Sequence, residues 1–238
     1  MCGRYTLVRL ADFLSRIPWI APPDDAAPAS PPRYNVAPTQ AVAAVTNARP
    51  AKVEFLRWGL VPSWAKDLSV GNRMINARAE TLAEKPAFAR LLRRRRCLVP
   101  ADGFYEWRKE AGGRIKTPMY IRMADGHPFA FAGLWDTWRD SSGQTVRSCT
   151  IITTTPNELV RSIHDRMPAI LREADYERWL QPEAPPDDTP PAAQLEMLRP
   201  YPPEEMEAFA VSSSVNNPRT ESPLNICPAK DGLWDSPP

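Results

Sequence analysis

The sequence is poor in the residues that build metal sites and disulfide frameworks. Its 238 residues include only four cysteines and two histidines. The cysteines, Cys2, Cys97, Cys149 and Cys227, are widely scattered, and no two of them form a C-x-x-C pair. Structural zinc sites and disulfide-rich domains depend on such close spacings. We therefore expect reduced thiols, no metal and no other cofactor.

Long apolar runs are also missing. No stretch approaches the run of about 18 apolar residues typical of a membrane-spanning helix, and the start, MCGRYTLVRLADF, lacks the pattern of a signal peptide. We therefore expect a soluble, cytoplasmic protein that binds no membrane. There is no internal repeat, clear linker or oligomerisation signal, so we expect a monomer with one domain over residues 1–238. A hydrophobic content of 43% is enough for a core.

Charge is distributed unevenly along the chain. The formal net charge is +2, but residues 173–207 hold ten acidic residues against two arginines. The remainder therefore carries a balance of +10, which favours a polyanionic partner such as DNA. Of the 30 basic residues 24 are arginines, which suit bidentate phosphate contacts, although a codon bias towards arginine would give the same ratio.

Short apolar runs bounded by Gly, Pro, Asn and Asp predict strands at residues 41–45, 53–59, 96–100, 119–123, 129–134, 149–154 and 208–211. Helical patterns occur at residues 10–17, 87–95, 157–162 and 173–180. Strands without regular helical crossovers favour an α+β fold with a mostly antiparallel, curled or barrel-like sheet and peripheral helices. Two proline-rich stretches, at 18–32 and about 182–203, predict irregular surface segments. The second is acidic as well, which suggests a mobile loop or a variable insertion.

Cys2 directly follows the initiator methionine. Cysteine is small enough that removal of Met1 is expected, which would leave a 1,2-aminothiol at the start of the chain. Its amine, with a pKa of about 7.7 to 8.0, can condense with an aldehyde to an imine, and its thiol can then close a five-membered thiazolidine. The alternative is a second residue without a chemical role.

Two further segments hold candidates for proton transfer. Glu106 lies between Tyr105 and Trp107, and a carboxylate in apolar surroundings has a raised pKa. The alternative is a solvent-facing strand residue. His164 could open a sugar ring or pass a proton, and Arg166 could hold a phosphate. A structural histidine is the alternative there, and His127, in an evident turn, is given no role.

Other residues suggest contacts with a ligand. Asn76, Arg78 and Glu80 alternate, so in an extended strand they would share one face. They would form either a polar pocket or a salt-bridged surface. Trp64 follows a loop and could stack on an unpaired base, a contact worth about 1 to 3 kcal/mol. The arginine run at residues 93–96 predicts the solvated end of a helix, which near a groove would also attract phosphates.

Six segments, in this order, resemble the SOS response-associated peptidase (SRAP) family. They are CGRY at residues 2–5, RYNVAP at 33–38, WGLVPSW at 58–64, INARAET at 75–81, ADGFYEW at 101–107 and IHDRMP at 163–168. The resemblance extends to about residue 217. It implies an abasic-site sensor that binds single-stranded DNA and forms a covalent thiazolidine DNA–protein cross-link, which shields the lesion in the DNA damage response. Such a protein would associate with the nucleoid when bound to DNA.

The resemblance also implies a role for each matched residue. Cys2 would be the nucleophile, Asn76 would place its amine and the sugar, Glu106 would transfer protons, and His164 would favour the open-chain aldehyde. Contacts to DNA are implied for Arg4, Pro38, Trp64, Arg78, Trp107, Thr153 and Arg166. The stretch at 182–203 and the tail after Asn217 have no counterpart in the family pattern.

Two other functions stay open at this point. Cys2, His164, Asn76 and Glu106 could support a cysteine-type peptidase or a self-processing N-terminal nucleophile hydrolase, with activity limited to removing Met1. The sequence has no peptide-binding feature. The third possibility is a DNA-binding module without chemistry, in which Cys2 would be dispensable.

Overall fold

The computed structural model describes residues 2–21, 31–110, 112–113, 115–181 and 191–229. In these ranges the strands are β1 (Tyr5–Leu7), β2 (Arg33–Val36), β3 (Ala41–Thr46), β4 (Val53–Trp58), β5 (Asn76–Arg78), β6 (Arg96–Ala101), β7 (Gly103–Lys109), β8 (Lys116–Met123), β9 (Phe129–Arg139), β10 (Thr145–Thr154), β11 (Met167–Pro168), β12 (Ile170–Leu171) and β13 (Met206–Ala210). The α-helices are α1 (Leu10–Arg16), α2 (Pro86–Arg94), α3 (Glu158–Arg161), α4 (Tyr176–Leu180) and α5 (Ala192–Glu196).

Five strands close into a barrel. They pair in the order β10, β4, β3, β6 and β9, and β9 pairs back onto β10 over seven residue pairs, from Thr145↔Arg139 to Ile151↔Gly133. Every pair in the ring is antiparallel except β4 with β10. Closure leaves the barrel without a free edge. Three short strands extend it, because β12 pairs with β9, and β5 and β11 pair with the last residues of β10.

A second sheet packs on the barrel. Its strands have the order β13, β8, β7, β1, β2, and all of its pairs are antiparallel. Tyr5 of β1 packs edge-on against Trp58 and Phe131 of the barrel, with ring centroids 5.4 and 5.7 Å apart. Phe104 of β7 meets Phe131 in the same way at 6.1 Å. The amino-terminal strand is therefore fixed at the junction of the two sheets, inside a common core.

The predicted fold class is confirmed. The chain is α+β and mostly antiparallel with a closed barrel, and each predicted strand and helix overlaps an observed one. The pattern missed the strands that carry polar residues or are very short, among them β1, β2, β5 and β7. The prediction of an irregular segment at 182–203 was wrong over residues 192–196, which form the helix α5. Residues 182–190 of that stretch, and 22–30 of the first proline-rich stretch, lie outside the described residues.

The arginine run at residues 93–96 also differs from its prediction. Helix α2 ends at Arg94, and Arg96 begins β6 with its side chain fully buried. Its guanidinium donates hydrogen bonds to four backbone carbonyls, those of Leu92 (2.9 Å), Arg93, Trp179 (2.7 Å) and Gln181. These carbonyls lie at the carboxyl ends of α2 and α4, where helices lack internal partners. Burial lowers the pKa of Arg96 to about 10, so it stays charged at neutral pH.

Two further observations concern the described part of the chain. No helix there is both long and apolar enough to cross a membrane. All four cysteines are free thiols, with Cys227 exposed and the other three buried.

Candidate active site

The pairing of β1 with β7 places Cys2 beside Glu106. Tyr5 lies opposite Phe104, and the Tyr105 N–H donates to the Arg4 carbonyl at 2.9 Å, so the pairing continues towards the amino terminus. In that register residue 3 faces residue 106. Cys2 is the next residue towards the amino terminus, and it is completely buried. The sheet thus brings the amino-terminal cysteine and the carboxylate to one place.

Asp102 anchors the opposite end of the same strand. Its carboxylate accepts hydrogen bonds from the backbone N–H groups of Val8 and Arg9, and its own N–H donates to the Thr6 carbonyl at 2.9 Å. Asp102 is 5% exposed. The sequence alone does not single out Asp102, because an Asp before a Gly is an ordinary turn signal. Its position shows that it holds the register on which the placement of Cys2 depends.

Glu106 has an unusual protonation behaviour. Burial raises the pKa of its carboxyl from 4.5 to about 7. Burial and the neighbouring Glu106 also raise the pKa of the Cys2 thiol, which is therefore neutral at neutral pH. A carboxyl group with a pKa near 7 can both accept and donate a proton under these conditions. The solvent-facing alternative for Glu106 is wrong, since its side chain is 3% exposed.

His164 lies next to this carboxyl group. It follows α3 and precedes β11, and its Nε2 is 3.8 Å from Glu106 Oε2. Its side chain is 27% exposed, so the cluster opens to solvent on the histidine side. Burial lowers the pKa of His164, which favours the neutral imidazole at pH 7. Cys2, Glu106 and His164 come together from three separate parts of the sequence.

Asn76 contributes an unused acceptor. It begins β5, which runs parallel to β10 with Asn76 opposite Ile151, and its Nδ2 donates to the Ile151 carbonyl at 3.4 Å. Its Oδ1 is buried without a hydrogen-bond partner among the described residues. A buried carbonyl oxygen of this kind costs free energy unless a donor reaches it. An amine or hydroxyl group of a ligand could supply that donor.

Arg166 is already engaged in this structure. Its guanidinium makes two hydrogen bonds to the Glu80 carboxylate, at 2.7 and 2.9 Å, and one to the Thr153 carbonyl at 2.7 Å. Glu80 is not on the strand face predicted for it, because β5 ends at Arg78 and Glu80 lies in a 3₁₀ helix. Thr153 is fully buried, whereas Arg78 is exposed. These contacts tie β5, β10 and β11 together.

Arg4 and Trp107 form a wall beside the cluster. The Arg4 guanidinium lies 5.8 Å from the centre of the Trp107 ring and donates to the Asn35 side chain at 2.7 Å and the Val215 carbonyl at 2.8 Å. The Trp107 Nε1–H donates to the Asn216 Oδ1 at 2.7 Å. The carboxyl-terminal segment therefore holds both residues, and sequence reasoning missed Asn35, Val215 and Asn216.

Two other residues of the predicted DNA surface lie on loops. Trp64 is 67% exposed. Its loop is fixed by the close approach of Gly59 and Gly71, since a Cβ on either glycine would lie 2.6 Å from the carbonyl oxygen of the other. Pro38, half-buried, precedes β3 in the turn that contains Thr39, whose φ is 74°. The Trp64 ring is thus presented to solvent on a loop that the Gly59–Gly71 contact constrains.

The part of the chain that the structure describes has no group of three or more His, Cys, Asp or Glu side chains suited to hold a metal ion. The cluster can move protons, because Glu106 lies beside both a thiol and an imidazole.

The chain is similar to known proteins in sequence. Residues 1–218 match the family model described as SOS response associated peptidase (SRAP). The chain is 44% identical over 227 residues to "Abasic site processing protein YoqW" of Bacillus subtilis (strain 168), covering 94% of this chain and 97% of that protein. It is 32% identical over 200 residues to "Abasic site processing protein HMCES" of Gallus gallus, covering 75% of this chain and 58% of that protein.

The solved structures include a similar fold. A crystal structure of a protein from Bacteroides thetaiotaomicron superposes with a TM-score of 0.82 at 28% sequence identity, covering 96% of this chain and all of that one. A second, from Bordetella bronchiseptica, gives a TM-score of 0.72 at 26% identity and covers 89% of this chain. The barrel and the sheet packed on it are therefore shared with these proteins.

Proposed function

This chain belongs to the SOS response associated peptidase (SRAP) family, and on that premise we propose that it captures abasic sites in single-stranded DNA by a covalent bond through Cys2. Two relatives carry names that describe abasic-site processing. The observation that carries the proposal is the burial of Cys2 beside Glu106, a carboxyl group with a pKa of about 7, with His164 3.8 Å from it.

The chemistry begins once Met1 has been removed. The freed α-amine of Cys2 attacks the aldehyde of the ring-opened deoxyribose, and loss of one water gives an imine. The Cys2 sulfur then bonds to the imine carbon, its thiol proton passes to Glu106, and the ring nitrogen takes up a proton. The product is a thiazolidine, and the sum of the two steps releases one water.

The surrounding residues support those steps. His164, mostly neutral at pH 7, acts as the acid and base that favours the open-chain aldehyde. Asn76 accepts a hydrogen bond from the Cys2 amine through its buried Oδ1. Glu106, which holds or releases its proton near pH 7, serves both the formation and the reversal of the bond.

The same proposal assigns the DNA contacts. The exposed Arg78 binds a phosphate beside the lesion. Arg166 binds a second phosphate when that phosphate displaces the Glu80 carboxylate. Trp64 stacks on a neighbouring base, which is worth about 1 to 3 kcal/mol. An abasic site has no base to unpair or unstack, so presenting its sugar costs less than flipping an intact nucleotide. The aldehyde itself then provides the selectivity.

A cysteine peptidase is the weaker candidate. Such an enzyme needs a thiolate, which a lowered thiol pKa supplies. Burial and Glu106 instead raise the pKa of Cys2, so the thiolate is disfavoured. Any peptidase activity is limited, in this proposal, to the removal of Met1.

The test uses a single-stranded oligonucleotide with one abasic site and an undamaged control. We expect an adduct that survives denaturing electrophoresis, appears only with the damaged strand and is absent for Cys2→Ala. Cys227→Ser is the matched control, because Cys227 is exposed and should leave the adduct unchanged. If protein shown by mass to begin at Cys2 forms no adduct, the proposal is wrong.

A further inference from the structure

The Nδ1 atom of His164 has two neighbours of opposite kind. The backbone N–H of Arg166 donates to it at 3.1 Å, and Asp165 Oδ1 lies 2.8 Å from it. A ring nitrogen without a hydrogen can accept the N–H but repels the carboxylate. A ring nitrogen that carries a hydrogen can donate to the carboxylate but not accept the N–H. The two neighbours therefore suit different protonation states of one imidazole.

Each state gives His164 a defined orientation. In the neutral ring Nδ1 accepts the Arg166 N–H, so the hydrogen lies on Nε2, 3.8 Å from Glu106 Oε2. In the imidazolium Nδ1–H donates to Asp165, and Nε2–H still faces Glu106. Protonation thus changes the partner at Nδ1 without turning the ring away from the cluster. Asp165 can accept that hydrogen bond, because its Oδ1 lies 2.8 Å from Nδ1.

We propose that Asp165 is a positioning residue for His164, which stabilises the imidazolium and keeps Nε2–H directed at Glu106 during cross-linking. The proposal rests on the function proposed above. It adds a residue that gains its effect through His164 and need not touch DNA. Asp165 is 87% exposed, so replacing its carboxylate should disturb the fold little.

Burial and several other charges also change the pKa of His164. Burial lowers its pKa, and Lys109 and Lys116, from β7 and β8, lower it as well. Asp165 opposes them by favouring the charged ring. Glu106 faces Nε2, and the amine of Cys2, once exposed, adds a positive charge from the amino-terminal strand. Among these groups Asp165 is both in contact with the ring and open to solvent, so it can be changed with little disturbance.

The direct test is an NMR titration of the two histidines in wild type, Asp165→Asn and Asp165→Glu. We expect the pKa of His164 to fall by about 0.5 to 1 in Asp165→Asn and to recover in Asp165→Glu. The signals of His127, which lies between β8 and β9, serve as the internal reference. Glu158→Gln, which removes a nearby exposed carboxylate on α3, is the matched control and should leave His164 unchanged.

The cross-linking rate on an abasic oligonucleotide is then measured from pH 5 to 9. The acidic limb of the Asp165→Asn profile should move to lower pH, in the same direction as the titration, because Asp165 raises the pKa of both His164 and Glu106, while Glu158→Gln follows wild type. If Asp165→Asn leaves the His164 titration unchanged, the proposal is wrong, whatever happens to the rate. If wild type forms no cross-link at all, the function proposed above fails, and the titration still decides whether Asp165 acts on His164.

Discussion

Two buried charged groups in this protein have opposite surroundings. Arg96 is held between the ends of α2 and α4, where four backbone carbonyls accept its hydrogen bonds. Glu106 is equally buried, but its neighbours include the Cys2 thiol and the His164 imidazole, which can themselves gain or lose protons. The pKa of Arg96, about 10, remains far above neutral pH, whereas that of Glu106 is raised to about 7.

This difference separates a structural charge from a chemical one. Backbone carbonyls cannot exchange protons with Arg96, and its pKa of about 10 keeps it charged around neutral pH, so its charge serves to join two helix ends. A carboxyl group beside a thiol and an imidazole can exchange protons with them at little cost. Burial alone therefore does not mark a functional residue, and the kind of partner does.

The largest effect should come from removing the chemical charge. Glu106→Gln keeps the size of the side chain but cannot transfer a proton, so the single-turnover cross-linking rate at pH 7 should fall by about 10² to 10⁴-fold. Circular dichroism should show an unchanged fold. A rate within a few-fold of wild type would show that Glu106, like Arg96, has only a structural role.

Removing the structural charge should affect stability instead. Arg96→Met leaves four carbonyls buried without donors, and we expect the free energy of unfolding in urea to fall by about 3 to 5 kcal/mol. The exposed neighbour Arg90 provides the control, since Arg90→Met should change it by less than about 0.5 kcal/mol. The cross-linking rate of folded Arg96→Met should equal that of wild type. A loss of rate without a loss of stability would contradict the distinction between a structural Arg96 and a chemical Glu106.

The pH dependence of stability should differ in the same way. Because the pKa of Glu106 is 4.5 when unfolded and about 7 when folded, the folded state binds the proton more tightly. Stability is therefore lost as pH rises from about 4.5 to 7, by about 3 kcal/mol in total. Glu106→Gln removes this loss, so its advantage over wild type in urea unfolding should be near zero at pH 4.5 and greatest at pH 8. An advantage that does not grow with pH would contradict the raised pKa.

The smallest effect concerns Arg166, which lies between the two classes. It bonds a backbone carbonyl, as Arg96 does, but also a half-exposed Glu80 carboxylate that a phosphate could replace. Arg166→Ala should lower the unfolding free energy by about 1 kcal/mol. It should also reduce the slope of log affinity against log salt, measured on undamaged single-stranded DNA, by about 1. A change in stability with no change in slope would make Arg166 purely structural.

The sequence predicts most of this fold because its barrel strands are apolar runs separated by turn residues. It does not predict that β9 pairs with β10 to close the ring, since pairing depends on contacts between distant segments. The strand β7 was not predicted because Glu106 and Arg108 interrupt its apolar pattern. Arg96 was misjudged because its partners Trp179 and Gln181 are more than 80 residues away in sequence.

The site was predictable to the extent that its chemistry is visible in single residues. Cys2, Glu106 and His164 stand out by residue type and neighbours, and the resemblance joined them. Asp102, Asp165 and Asn216 did not stand out, because each resembles an ordinary polar turn residue. Their importance depends on contacts that only the fold creates. Asp102 binds the backbone just after β1, Asp165 contacts His164, and Asn216 accepts a hydrogen bond from Trp107.

The most direct test of the account is the intact mass of the complex formed with an abasic oligonucleotide, combined with borohydride treatment. Wild type should give the mass of the chain without Met1 plus the DNA minus one water, with no reductant needed. Cys2→Ala, which keeps an amine but lacks the thiol, should give a stable adduct only when borohydride reduces its imine. An equally stable adduct of Cys2→Ala without borohydride, or a wild-type adduct that retains Met1, would contradict the thiazolidine and the role assigned to the Cys2–Glu106 pair.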